Sequence, residues 1–276
     1  MVSIHNFSYG LLNPGLAFAM SCLGGFLGLR CMILARAYRG AARARWLVLA
    51  SVSIGAVGIW SMHFIAMLGF TIPGEPIRYN VLETIASMLL AVAVVGAGLF
   101  FVGFGNGGLH QRLLIGGVII GVGIAAMHYV GMAAMSMPGS MSYRLPLVAL
   151  SVLIAIVAGT AAMWIGTWVR SVAATAGAAI VMGIAVTGMH YTGMAALRVT
   201  GGLMPSTGTD GVLSVSGVSG VTAATFLVPL LMISLATFLA TLSISMTPGE
   251  DEIRADAEIR RRLQYLEQRG TPEHVA

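Results

Sequence analysis

The sequence predicts an all-α membrane protein with seven transmembrane helices, arranged as three tandem helical hairpins followed by a seventh helix. Two observations lead to this fold class: the composition, and a motif that recurs at the length of one hairpin. Of the 276 residues, 57% are hydrophobic and only 9% are charged, whereas soluble domains carry about 25% charged residues. Most of the 36 glycines lie inside apolar runs, where small side chains let transmembrane helices pack closely.

Seven apolar stretches are long enough to cross a bilayer, which takes on the order of 20 residues. They are predicted at 12–35, 46–70, 80–104, 112–136, 146–169, 172–197 and 221–246. The first is expected to remain as a helix, because no arginine or lysine precedes Arg30 and a cleavable signal peptide needs a charged start. A Gly/Ser/Thr-rich stretch, 201–220, is predicted to be a loop before the last span.

The arginines predict the orientation of the chain. With seven spans, one side of the membrane receives most of them: Arg36, Arg39, Arg43, Arg45, Arg112, Arg170, Arg260, Arg261 and Arg262. The loops on the opposite side carry only Arg78, Arg144 and Arg198. Because positive charge accumulates on the cytoplasmic side, the N-terminus is predicted outside and the C-terminus in the cytoplasm. Arginines at the ends of apolar runs are topology signals, so no nucleic-acid partner is predicted.

One short motif occurs three times, in spans 2, 4 and 6. It reads MHFIAM from Met62, MHYVGM from Met127 and MHYTGM from Met189. Its histidines, His63, His128 and His190, are separated by 65 and 62 residues, the difference of their positions. Two spans and two loops fill such an interval, so each hairpin carries one histidine. All three fall in the later half of their spans, near the predicted outer face.

Each motif places a histidine four residues before a methionine, which puts both on one face of a helix. Imidazole and thioether ligands suit copper, and thioethers favour Cu(I) in particular. Ionisable side chains are costly to place in hydrocarbon, so three histidines there indicate a functional role. Zinc would prefer histidine, cysteine or carboxylate ligands, and the spans hold no Asp or Glu except Glu83. A bis-histidine haem would use only two of the three equivalent histidines. Both are therefore ranked below copper. The predicted metal ligands are His63, Met67, His128, Met132, His190 and Met194.

Further residues of the motif are predicted at the edge of the site: Met62, Met127, Met189, Tyr129 and Tyr191. The first three lie about 100° around the helix from their histidines. The tyrosines either donate hydrogen bonds to the ligands or sit as interfacial aromatics. Any single copy of the motif could have a purely structural role. A histidine in a membrane helix can donate a hydrogen bond to a backbone carbonyl of a neighbouring helix, and methionine often fills gaps in apolar cores. Three copies at one depth favour a metal site.

The tetrapeptide Met189-His190-Tyr191-Thr192 spells the signature of the MHYT-domain family of bacterial integral membrane sensors, and the three copies make residues 1–246 resemble that family. The resemblance implies a multi-pass protein of the bacterial cytoplasmic membrane. It further implies that His63, His128 and His190 with their neighbouring methionines bind copper, and that the domain senses a diatomic gas (O2, CO or NO) or redox state for a cytoplasmic signalling protein. Copy one departs from the signature at Phe64 and Ile65 and copy two at Val130, so the fourth letter is not an essential ligand.

The chain is expected to divide into a membrane domain, 1–247, and a polar cytoplasmic tail, 248–276, with a short amphipathic helix. The tail is too short for a catalytic domain, so a sensor without its own enzymatic output is expected. His5 is left open as a cap of the metal site.

Two alternative functions remain at this point. An intramembrane zinc-dependent hydrolase would need a carboxylate near the histidines, and the spans offer only Glu83, at the start of span 3. A copper carrier or channel would need methionines along the whole membrane depth, a question that Met88, Met163 and Met182 leave open.

Overall fold

The computed structural model describes residues 7–72, 77–136, 140–200, 221–222, 232 and 235–243. Among these residues, six helices are long and apolar enough to cross a membrane: α1 (Leu12–Ala37), α2 (Gly40–Leu68), α3 (Val81–Phe104), α4 (Leu109–Ala133), α5 (Leu145–Trp168) and α6 (Val172–Ala196). Their lengths of 24 to 29 residues correspond to about 36 to 44 Å at 1.5 Å per residue. The hydrocarbon core is about 30 Å thick, so each of the six can span it. The prediction of an all-α membrane protein is confirmed at this level.

The first six predicted spans match these helices within a few residues, except at the start of the second. Helix α2 begins at Gly40 rather than at 46, because residues 38–39 alone connect it to α1. Arg43 and Arg45 therefore lie inside α2, and the prediction that they belong to a loop was wrong. Arginine is a good helix former, and its long side chain can reach from a helix end into the headgroup region.

The predicted seventh span, 221–246, falls only partly within the described residues. Val221–Thr222 form a strand, so the prediction that the helix begins at 221 was wrong, whereas residues 235–241 are helical. The predicted loop 201–220 and the tail 248–276 lie outside the described residues. The chain forms two compact units, Met1–Thr241 and Leu242–Ala276, and the first contains every element discussed below.

The helices form three hairpins, α1–α2, α3–α4 and α5–α6. Each hairpin is closed at its histidine end by a backbone hydrogen bond from the segment preceding its first helix to the end of its second. The three donor and acceptor pairs are Ser8 N to Gly69 O (3.1 Å), Asn80 N to Ala134 O (2.9 Å) and Arg144 N to Ala196 O (2.9 Å). Consecutive helices are in contact and α6 contacts α1, so the helices close into a ring. The final segment of α2, Met62–Leu68, contacts both α4 and α6 inside this ring.

Short strands cap the histidine end of the bundle, where the prediction had only loops and the ends of spans. They are β1 (Arg78–Tyr79), β2 (Met135–Ser136), β3 (Ser140–Tyr143), β4 (Leu197–Thr200) and β5 (Val221–Thr222). One antiparallel sheet has the order β2-β1-β5, and the second pairs β3 with β4 from Ser140↔Thr200 to Tyr143↔Leu197. Tyr79 in β1 is buried, and burial raises the pKa of its phenol. Backbone pairing between these strands thus connects the segments that follow α2, α4 and α6, and the neutral side chain of Tyr79 is buried among them.

The middle of α2 is a π-helix, Ser53–Ser61, and every one of its residues is buried. Its glycines bring neighbouring backbones close: a Cβ on Gly58 would lie 3.4 Å from Gly25 N, and a Cβ on Gly55 would lie 2.8 Å from Val92 Cα. Trp60 Nε1 donates to Thr84 O (3.2 Å) and Ser87 Oγ (3.1 Å), which ties α2 to α3. Segments of π-helix are rare and concentrate at functional sites, and this one ends two residues before His63.

Arginines cap helix ends on the opposite side of the bundle. Arg36 Nη1 donates to Thr167 O (2.9 Å) and Arg36 Nη2 donates to Gly166 O, at the end of α5. Arg112 Nη1 donates to Val102 O (3.0 Å) and Gly105 O (2.9 Å), at the end of α3. Cations there compensate the partial negative charge of helix C-termini. These arginines therefore stabilise the fold as well as marking one side of the membrane.

Helices α4 and α5 pack backbone to backbone through glycines. A Cβ on Gly121 would lie 2.4 Å from Ile156 Cα, and a Cβ on Gly159 would lie 2.5 Å from Gly117 O. Real side chains do not approach so closely, so only glycine fits at this crossing. Such close approach gains dispersion contacts where burial from water contributes nothing.

Gly121→Ala should destabilise the protein by about 1–3 kcal/mol, the usual cost of overpacking, because α5 must move away. Gly177→Ala on α6 is the matched control, since its Cβ would meet no atom within 4 Å. The control should leave the midpoint of thermal unfolding in detergent unchanged or slightly higher. Equal midpoints for the two variants would contradict this account of the helix crossing.

Candidate metal centre

The three motif histidines meet inside the helix ring. His63, His128 and His190 come from α2, α4 and α6 and are at most 1% exposed. Their ring centroids are 4.9, 4.9 and 5.1 Å apart, with planes nearly perpendicular to one another. Each lies five or six residues before the last residue of its helix (63 to 68, 128 to 133 and 190 to 196). The prediction that the histidines share one depth is confirmed by this geometry.

The Nδ1 atoms, rather than the Nε2 atoms, face each other. His63 Nδ1 lies 3.0 Å from His190 Nδ1 and 3.1 Å from His128 Nδ1. The ligand atoms of the three residues lie within 4.8 Å of one another, close enough to share a metal ion. An imidazole nitrogen carries either one proton or one lone pair in its plane. His63 Nδ1 therefore cannot make two good hydrogen bonds at once, whereas three Nδ1 lone pairs can all point at one cation.

Glycines from neighbouring helices leave room for the outer edges of the imidazoles. A Cβ on Gly131 of α4 would lie 2.6 Å from His63 Nε2, and a Cβ on Gly193 of α6 would lie 2.3 Å from His128 Nε2. Each glycine stands three residues after the histidine of its own helix and against the histidine of another. The equivalent position in the first repeat is Ala66, so only the second and third repeats carry a glycine there.

The repeats that carry the histidines match a known protein family. The bacterial signalling protein N terminal repeat, MHYT, matches residues 57–116 and again residues 121–179. The two matched segments begin just before His63 and His128, so each covers one histidine motif and the helices up to the next repeat. The chain belongs to the MHYT family. The third motif, with His190, lies beyond the second matched segment.

Several relatives of this MHYT protein are curated signalling proteins. It is 44% identical over 165 residues to the bifunctional diguanylate cyclase/cyclic di-GMP phosphodiesterase MucR of Pseudomonas aeruginosa, covering 58% of this chain and 24% of that protein. It is 36% identical over 201 residues to the cyclic di-GMP phosphodiesterase NbdA of the same organism (70% and 25%). It is 31% identical over 193 residues to the signaling protein YkoW of Bacillus subtilis (66% and 23%).

This MHYT protein spans about a quarter of the length of these curated relatives. The similarity and the six apolar helices make it a multi-pass signalling domain of the bacterial cytoplasmic membrane. No solved structure matches the chain.

An aromatic ring follows each histidine of this MHYT protein and contacts it edge-on. The centroid distances are 4.8 Å for Phe64, 4.9 Å for Tyr129 and 5.0 Å for Tyr191. The tyrosines do not direct hydroxyls to the histidines: Tyr129 OH pairs with Ser151 Oγ at 2.6 Å, and Tyr191 OH has no partner among the described residues. The idea that they donate hydrogen bonds to the ligands is therefore wrong, and they pack against the imidazoles instead.

All six motif methionines are buried, at most 2% exposed: Met62, Met67, Met127, Met132, Met189 and Met194. A buried methionine can be either a metal ligand or a core side chain. The predicted roles of these methionines, as ligands or as residues at the edge of the site, therefore stay predictions. His5 lies outside the described residues. His110 is far along α4 from His128, with its ring 5.2 Å from that of Trp164.

Sequence reasoning missed the residues that shape the centre from other helices. Gly131 and Gly193 could have been found, since both motifs that contain tyrosine also place glycine three residues after histidine. Tyr79, whose ring lies 6.0 Å from that of Phe64, and Ser151, which pairs with Tyr129, carried no signal, because both lie outside the histidine motifs.

Gly193→Ala should weaken metal binding by about 10–100-fold, the usual effect of disturbing the support of a ligand. Its Cβ would lie 2.3 Å from His128 Nε2, so that imidazole must turn away. Gly188→Ala on the same helix meets no atom within 4 Å and should bind metal like the wild type. Competition titrations with a chromophoric chelator measure both affinities, and an unaffected Gly193→Ala would show that Gly193 does not position His128.

Proposed function

We propose that this protein is a copper-binding membrane sensor in which a diatomic gas, or a change of redox state, is detected at His63, His128 and His190 and reported to a cytoplasmic protein. The observation that carries the proposal is the convergence of Nδ1 atoms at 3.0 and 3.1 Å inside the bundle. Copper bound there would supply a redox-active centre that accepts a small ligand. The three imidazoles bind it, and the closed helix ring keeps bulk water away.

The donor set favours copper over zinc. The group that could hold a metal consists of three histidines with no carboxylate or thiolate among the described residues. Glu83 is exposed near the start of α3, on a helix that carries none of the histidines. A zinc hydrolase needs a group that takes a proton from the metal-bound water, and the described surroundings of the ring offer aromatic and apolar side chains instead. A sensor therefore fits better than an enzyme.

The methionines extend the donor set in the direction of the capped end. Met67, Met132 and Met194 each stand one helical turn beyond a histidine and are buried. We expect at least one thioether to reach the metal, which would favour Cu(I) over Cu(II). Imidazole ligands accept both oxidation states, so this mixed set suits a centre that changes its redox state.

The orientation is proposed from the arginines. Among the described residues, Arg36, Arg39, Arg43, Arg45, Arg112 and Arg170 lie at one end of the bundle, and Arg78, Arg144 and Arg198 lie at the histidine end. The positive-inside rule then places the histidines near the outer face, the N-terminus outside and, with a seventh helix, the C-terminus in the cytoplasm. The signal must cross the membrane through the helices that carry the histidines.

Helix α2 is the best candidate for this transmission. Its π-helical segment, Ser53–Ser61, lies directly between His63 and the arginine-rich end. A movement of His63 can be taken up by conversion between π-helical and α-helical hydrogen bonding, which would turn one part of α2 relative to the other. Such a two-state element is what a ligand must bias in order to signal. We propose that the signal reaches a cytoplasmic signalling protein, because the relatives MucR and NbdA are enzymes of cyclic di-GMP signalling.

Copper content tests the proposed centre. Protein purified in detergent from copper-supplemented cells should carry one copper per chain by mass spectrometry, because the histidines converge on one point. His128→Ala should reduce the content to near zero, whereas His110→Ala, a histidine outside the ring, should retain it. Met67→Leu should lower the affinity relative to Met88→Leu, which changes a methionine of α3.

Three results would count against the copper sensor. Zinc at one equivalent would favour the hydrolase, and copper retained by His128→Ala would place the metal elsewhere. Copper accumulation inside reconstituted vesicles would favour the carrier.

Cysteine labelling tests the orientation. In a background with Cys22 and Cys31 changed to alanine, Ser142→Cys in β3 should react with a membrane-impermeant maleimide in intact spheroplasts. Asn106→Cys, between α3 and α4, should react only after permeabilisation. Both positions are exposed, so access to each is set by the side of the membrane. The reverse pattern would place the histidine ring at the inner face.

A further inference from the structure

A cavity lies directly beneath the histidine ring, on the side away from the strands. Three of its lining residues are Ile59, Ile124 and Val186, which stand four residues before His63, His128 and His190. Residues four apart in an α-helix share a face, so Ile124 and Val186 lie one turn, about 5.4 Å, below His128 and His190. Ile59, in the π-helical segment, lines the same cavity. The cavity therefore borders the ring from within the membrane.

The apolar lining of the cavity favours an apolar, uncharged occupant. Of its described lining side chains, only Ser21 is polar; the others are aliphatic residues, glycines and the thioethers of Met32, Met163 and Met182. An ion or a strongly polar molecule would lose its hydration there without gaining hydrogen bonds, which costs several kcal/mol. Apolar cavities of this kind stay dry and take up apolar atoms such as xenon.

The size of the cavity restricts its occupant to a small molecule. Its volume is about 30 Å³, which is more than the space that a single water needs. The space therefore accommodates one small molecule. Such molecules, when uncharged and apolar, dissolve in the bilayer and can approach the cavity between helices.

We propose that this cavity is a binding site for one small, uncharged, apolar molecule, which reaches the histidine ring from the membrane interior. The binding itself requires only the lining residues. That the bound molecule acts on the ring rests on the proposed sensor function. The cavity would then admit neutral ligands while excluding ions that approach from water.

Xenon is the probe that tests this site in the full-length protein. The chain is labelled with [13C]methyl-methionine, reconstituted in nanodiscs and examined by NMR under increasing xenon pressure, with and without copper. The methyl signals of Met163 and Met182, assigned from Met→Leu variants, should shift along a saturating curve. Met88, which does not line the cavity, should follow only the linear change expected for xenon dissolved in lipid.

Filling the cavity should abolish the response. Ala162→Leu projects a larger side chain from a lining position, and Ala149→Leu is its matched control on the exposed face of α5. We expect at least a tenfold weaker xenon affinity for Ala162→Leu and an unchanged one for Ala149→Leu. Ala158→Val, a milder filling at another lining position, covers the case in which Ala162→Leu does not fold.

The outcomes separate the two proposals. A purely linear response at Met163 and Met182, or saturation that survives both filling variants, would overturn the cavity site while leaving copper at the histidines untouched. Saturation by Cu(I) at these methyl groups, with loss of xenon binding, would overturn it in favour of a thioether metal site. Saturable xenon binding in a protein that holds no copper would support the cavity and refute the copper centre.

Discussion

The crowding of three imidazoles around one point in the membrane interior is the constraint on which the rest of the structure depends. Their Nδ1 atoms cannot all satisfy one another by hydrogen bonds, so the surrounding helices must hold them in place. Gly131 and Gly193 allow this by letting an imidazole lie against the backbone of another helix. The closing hydrogen bonds of the hairpins and the short sheets then hold the ends of α2, α4 and α6 together. Close helix packing and the cap are thus consequences of the same geometry.

The three repeats are equivalent in topology but not in environment. The apolar window of α2 is 83% buried, that of α4 56% and that of α6 33%. The first repeat accordingly replaces tyrosine by Phe64, glycine by Ala66 and regular helix by the π segment Ser53–Ser61. A phenylalanine needs no partner for a hydroxyl, which suits the most enclosed position, whereas Tyr129 finds one in Ser151. The departures from symmetry therefore follow the gradient of burial.

The sequence correctly predicted those features that depend on the residues of a single helix. Long apolar runs locate six helices because hydropathy is a local property, and the histidine spacing predicts the hairpins because each motif sits at the same place in its helix. The choice of Nδ1 over Nε2, the strands, and the contacts of Tyr79 and Ser151 depend on which helices meet, so no one segment encodes them. The start of α2 was placed too late because Arg43 and Arg45 lower the local hydropathy without breaking the helix. Hydropathy predicts the seventh helix, and residues 235–241 within that span are helical.

The histidine ring separates two chemically different regions of the same bundle. Toward the capped end lie the motif methionines Met67, Met132 and Met194, aromatic rings and paired strands. Toward the arginine-rich end lies a cavity lined by aliphatic side chains, glycines, one serine and the thioethers of Met32, Met163 and Met182. A metal ion must shed its water to reach the ring, and on the capped side the motif methionines, one turn from the histidines, can reduce that cost. A neutral apolar molecule gains nothing from such donors and partitions into hydrocarbon. If the ring holds a metal as proposed, the metal can enter from the capped end while a neutral ligand enters from the cavity, so that the ligand can bind without release of the metal.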